Sequence, residues 1–181
     1  LVTCLIVDID EQADGSSASA GSGSGGSGSG LGSGGSGPGS PLDRVRQIAL
    51  ASGGEVELGP ELEADRHPPG HRLVTAVFHS AGDATHAAVD IARSVRPARM
   101  VLVTGADGRR TGQPSTRARA AALLAHTTPH RVLTVAPTAI MAGRKLPRGT
   151  ELIDRGSLRL GRGIPAERVY ELRLGPGPGL D

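Results

Sequence analysis

Aromatic residues are almost missing from this sequence. Phe78 and Tyr170 are the only two, and there is no tryptophan. That removes the stacking platforms on which single-stranded nucleic acids are usually held. Positive charge is not concentrated either: 20 Lys and Arg are interspersed with 18 Asp and Glu, for a formal charge of +2. A nucleic-acid footprint needs bases clustered on one face, so nucleic acid is not an expected partner of this segment. Cys4 is the only cysteine, which excludes an internal disulfide. Within its apolar run it reads as a small buried hydrophobe, and a lone cysteine fits a reducing, cytoplasmic setting. No apolar stretch approaches the roughly 20 residues of a membrane span, and no signal-peptide pattern is present. An initial methionine is also lacking. The chain opens at Leu1 and is read as a piece of a longer protein, whose other domains would then be partners.

Familiar catalytic motifs are absent too. The Gly- and Arg-containing stretch GADGRRTG (105–112) lacks the Gly-Lys-Ser/Thr of a phosphate-binding P-loop. It is therefore read as a surface connection, with Arg109 and Arg110 as the candidate anion contacts. No nucleophile-elbow motif supports a Ser/His/Asp arrangement. The pairs His67/His71 and His126/His130 have no cysteine or carboxylate at zinc spacing.

What is there is a regular alternation of apolar segments and caps. Residues 1–10, LVTCLIVDID, form a near-continuous apolar run of the kind found in a strand buried on both faces, and it ends in acids. Residues 15–40 are almost wholly Gly and Ser. Such a tract buries too little apolar surface to offset its ordering entropy, and is expected to be a flexible linker or insertion spanning about 25–30 Å. Ser40-Pro41-Leu42-Asp43 then carries a Ser cap, Pro at the first helical position and an acid three residues on, and Gly53-Gly54 stop the helix. A short strand is expected at 55–58, a Pro-rich loop at 59–70 and a strand at 72–78. Ser80 opens a second helix whose Ala84, Ala87, Ala88, Ile91 and Val95 share one face. Further strands are expected at 99–105, 131–136, 151–156, 157–160 and 169–174. Helices are expected at 115–126 and 137–144, and residues 175–181 should be a disordered tail. This order predicts an α+β domain, residues 1–14 and 41–174, with one sheet covered on one face.

The run RVLTVAPTAIMAGRKLPRGTELIDRGSLRLGRGIPAERVYELRL (131–174) is similar to the end of class III adenylyl/guanylyl cyclase domains. The matching pieces are Leu146-Pro147-Arg148-Gly149, Leu152-Ile153-Asp154-Arg155-Gly156, Arg159-Leu160, Gly163 and Val169-Tyr170-Glu171-Leu172. The opening LVTCLIVDID resembles that family's first strand, which ends in a metal-binding Asp. The resemblance implies a ferredoxin-like βαββαβ core with extra C-terminal strands and a head-to-tail dimer with active sites at the interface. It also implies a two-metal cyclisation of a nucleoside triphosphate.

The resemblance further implies which residues should carry that chemistry, and most are replaced. Asp8 stands at the first metal Asp, but Asp10-Glu11-Gln12-Ala13 replace the small turn that cradles phosphates. The second metal carboxylate falls on Gly70-His71-Arg72, and the base-selecting Lys on Pro68-Pro69. Ser115 aligns near the second base-selecting position. The Asn and Arg that stabilise the transition state fall on Ala118 and Ala122, with Arg117 and Arg119 nearby. One preorganised stabiliser is typically worth about 10²–10³ in rate, so these losses together predict negligible turnover. The expectation is a degenerate cyclase-homology domain, a regulatory, dimerising or ligand-sensing module in a bacterial signalling or transcription-control protein. Asp8, Ser115 and Arg119 would be vestiges. A homodimer or heterodimer and a nucleotide ligand are the implied partners, and no cofactor is expected. The alternative is a divergent cyclase, or one half of a heterodimeric one, in which Asp8 would hold Mg²⁺ or Mn²⁺.

Overall fold

The computed structural model describes residues 1–10, 39–57, 70–95, 98–106 and 114–175. Strand β1 (Val2–Asp10) is buried along nearly its whole length, because it lies inside the sheet with a neighbour on each side. Helix α1 (Pro41–Ala51), strand β2 (Glu55–Glu57), strand β3 (His71–Phe78), helix α2 (Ala81–Ser94) and strand β4 (Ala98–Gly105) complete a βαββαβ unit. Helix α3 (Thr116–Leu124), strand β5 (Val132–Val135), helix α4 (Ala136–Ala142) and a long hairpin, β6 (Thr150–Gly161) and β7 (Ile164–Leu174), follow. The seven strands form one sheet in the order β2-β3-β1-β4-β5-β7-β6. Only β4 and β5 run parallel. The α+β, ferredoxin-like core with added C-terminal strands is thus as the sequence leads one to expect.

Local chemistry explains the helix starts. Ser40, Ser80 and Ser115 each accept a hydrogen bond from the backbone N–H three residues on, at 3.2, 3.3 and 3.1 Å. Each such cap is worth about 1 kcal/mol. The chain leaves α1 through Gly53, at φ 80°, and Gly54 lies flat under the ring of Phe78. A Cβ on Gly54 would stand 2.5 Å from that ring, so the ring of Phe78 is seated by the smallest residue.

Two features differ from the sequence expectation. Helices cover both faces of the sheet, not one. Leu5, Val7 and Ile9 pack with Val45, Ala84, Ala87, Ala88 and Ile91 under α1 and α2. Cys4 and Ile6 point the other way and pack with Val101, Val103, Ala120 and Leu123 under α3. The alternation of β1 is what permits this, since its odd and even residues are both apolar. The second difference is that 151–156 and 157–160 are one strand. Gly156, at φ 81°, makes a bulge between Asp154 and Ser157 and does not break the strand, because β7 continues to pair on both sides. The Gly/Ser tract but for Gly39 and Ser40, Leu58, the Pro-rich loop but for Gly70, and the tail after Gly175 lie outside the described residues.

Candidate functional site

Asp8 stands two residues before the end of β1. Asp8 pairs in register with Leu73 on β3 and with Arg99 on β4. Its parity puts its side chain on the α3 face, beyond the part that α3 covers. The carboxylate is fully buried. Arg99 donates from Nε to Oδ2. The ring of His71 meets the same carboxylate through Nδ1, at 3.0 Å from Oδ1 and 3.2 Å from Oδ2. An ionised carboxylate only accepts, so Nδ1 is the protonated nitrogen. His71 and Arg99 are each about one-fifth exposed and close the carboxylate off from water.

That arrangement can be tested against the divalent cation the resemblance implies. Mg²⁺ and Mn²⁺ are held by several oxygens. Both Asp8 oxygens are already engaged, one by a guanidinium that is charged at all accessible pH. His71 stands at a position the resemblance assigns to the second carboxylate. Among the described residues no group of three His, Cys, Asp or Glu could hold a metal ion. A divalent cation does not fit this corner.

The other sequence-picked residues lie elsewhere. Ser115 caps α3. Arg119 makes a two-pronged bond to Glu167 of β7, Nε to Oε1 and Nη2 to Oε2, both at 2.6 Å. Arg117 pairs with Glu57 of β2 at 2.8 Å. Both arginines therefore brace α3 against the sheet. Ala118 faces solvent and Ala122 is half-buried. The guanidinium of Arg119 lies beside Gly105, the last residue of β4, whereas Arg99 is near its start. Six residues of strand separate them, about 20 Å. Within one chain, then, Asp8 and Arg119 do not meet. Arg109, Arg110 and His67 lie outside the described residues.

Sequence reasoning missed Arg99, and it missed a second buried acid on the same face. Glu171 accepts from Arg155 (Nε, 2.8 Å) and from Arg131 (Nη1, 3.3 Å). Both partnerships depend on strand register, which a single sequence does not print. Cys4 lies on this face too. Burial pushes its thiol up to about 12, so it stays protonated and is no nucleophile.

The chain is similar to the adenylate/guanylate cyclase/hydrolase from Silicibacter pomeroyi, with TM-score 0.59, 11% identity and 97% of each chain covered. It is also similar to the guanylate cyclase domain of RhGC from Catenaria anguillulae in complex with GTP, with TM-score 0.55, 13% identity and 97% of each chain covered. The fold is that of the nucleotidyl cyclase domains. A third likeness is the non-canonical dimeric guanylyl cyclase domain of the RhoGC fusion protein from Blastocladiella emersonii, with TM-score 0.54, 12% identity and 96% of each chain covered. No family model and no curated protein matches the chain. Among the described residues, no helix of this cyclase-fold chain is long and apolar enough to cross a membrane.

Proposed function

We propose that this cyclase-fold chain is catalytically silent and serves as a regulatory or dimerising module. The observation that carries the reading is the Asp8 carboxylate, buried and satisfied by Arg99 and His71. A buried charge pair of this kind is costly to open, since freeing one partner leaves an uncompensated charge. Asp8 thus serves the fold as an ion-pair acceptor. The Arg117 and Arg119 guanidinia, spent on Glu57 and Glu167, support the same reading. So does the alanine at both helix positions where the transition-state groups would stand. Pairing through the α3 face fits this role. One of its similar structures is dimeric, and the face presents small side chains and paired charges.

The test is direct. Purified protein incubated with ATP or GTP and Mn²⁺ is expected to give no cyclic nucleotide above a protein-free blank by liquid chromatography with mass spectrometry. Turnover that disappears in Asp8→Ala would overturn the reading.

A further inference from the structure

The short helix α4 is inside out. Its buried residues are Thr138, Ala139 and Ala142, while Ile140 is 77% and Met141 45% exposed. Pro137, Ile140, Met141 and Arg144 recur at three- and four-residue spacing, which puts them on one side of the helix and the turn that extends it. The small residues are what the sheet needs, because Thr138 reaches in to accept from the Thr104 N–H at 2.8 Å. Nothing in that packing calls for large apolar side chains on the outside. Burying an isoleucine or methionine is favourable, and this chain leaves both unburied and adjacent.

The charge around them differs from that on the opposite face of the sheet. The arginines of the α3 face each hold a carboxylate. Arg144, Lys145 and Arg148, which follow the apolar pair, are exposed, and no ion pair among the described residues engages them. The stem of Lys145 crosses Gly82 at the start of α2, and Arg93 near its end donates to the Arg148 carbonyl at 3.5 Å. The basic turn is thereby laid along α2. The exposed Asp83 and Asp90 of α2 form no ion pair with it.

We infer that this α4 surface docks an acidic, amphipathic segment of a partner protein. Apolar residues of the partner would cover Ile140 and Met141, and its carboxylates would meet Arg144, Lys145 and Arg148. The charge complement is set by three adjacent exposed cations that no ion pair among the described residues engages. A lipid surface fits less well: α4 has only seven residues and lacks the Trp or Phe that anchors interfacial helices. Because α4 packs on the α2 side of the sheet, this surface stays free when the α3 face is covered. The inference does not depend on the domain being silent.

The experiment is a titration of ¹⁵N-labelled protein with a synthetic helical peptide bearing leucines at i, i+3, i+4 and i+7 and glutamates elsewhere. A lysine-for-glutamate version and vesicles of phosphatidylserine are titrated in parallel. Amide shifts confined to 137–148 are expected with the acidic peptide alone. Arg144→Glu with Lys145→Glu should weaken binding about tenfold or more, as should Ile140→Ser with Met141→Ser. All four sites are exposed, so the thermal midpoint should be unchanged, which separates lost binding from lost folding. Three outcomes overturn the inference: no shifts at millimolar acidic peptide, equal binding of the lysine peptide, or patch-dependent binding to the vesicles in preference to the peptide.

Discussion

The two ends of β4 make the same kind of bond to different effect. At one end Arg99 holds Asp8, whose carboxylate has no exposed surface. At the other, Arg119 beside Gly105 holds Glu167, with the two side chains 20% and 14% exposed. A third pair, Arg168 with Asp154 on the outer hairpin, is largely in solvent, at 61% and 38%. The chemistry is constant and the water is not. A carboxylate removed from water depends on its partner for its charge, whereas one in water does not. The difference explains why Asp8 is a structural element here. Its environment is completed by the protein's own cations.

Arg99→Met should break that comparison most severely. It leaves Asp8 buried with only His71, and a loss of about 3–5 kcal/mol is expected in urea unfolding. Adding Asp8→Asn should recover part of it, because the uncompensated charge is then gone. Equal losses for the single and double variants would show that an uncompensated Asp8 charge is not what costs the stability. Arg119→Ala should cost less, about 1.5–3 kcal/mol by the same measurement, as expected for a charged hydrogen bond that water partly replaces. Cys4 adds a pH test on the same face. Its thiol ionises near 9 when unfolded and is pushed up to about 12 when folded. Its contribution is therefore fully present below pH 9 and is lost as pH rises towards 12. At pH 10 the loss is about 1.4 kcal/mol, and Cys4→Ala should flatten that alkaline slope. An unchanged slope would contradict the burial argument. Arg168→Ala should be smallest, with only a slight drop in the thermal midpoint at neutral pH. Asp154 is held below the usual carboxylate range first by its bond from Arg168 and then by the Gly156 N–H. The pair's contribution is thus present at neutral pH and fades as pH falls through that range.

Much of the scaffold could be read from residues in order, because its signals are local. The Ser-x-x-Asp starts of α1 and α2, the alanine stripe of α2 and the apolar run of β1 each act within one or two turns of chain. The cyclase-like pieces between Leu146 and Leu172 lie in consecutive positions, and they foretold the closing hairpin. The single long β6 was missed because Gly156 has two uses, a break or a bulge, and only the partner strand chooses. The two-sided covering was missed for a related reason: an apolar run like 1–10 does not say which helix lies on which side. The site was less legible still. His71 was found by counting to stand at a missing carboxylate, yet its contact with Asp8 depends on the β1–β3 register. Arg99 gave no local signal, being the second residue of an ordinary strand. Ser115 and Arg119 resemble site residues by position, and they are spent on a helix cap and a brace to β7.

The account turns on whether the Asp8 carboxylate is available to a metal. Electron paramagnetic resonance of Mn²⁺ titrated with the wild-type protein and with Asp8→Asn tests this most directly. The six-line signal of free Mn²⁺ should diminish equally little with either protein. A stoichiometric loss of signal with the wild type that Asp8→Asn abolishes would contradict the account.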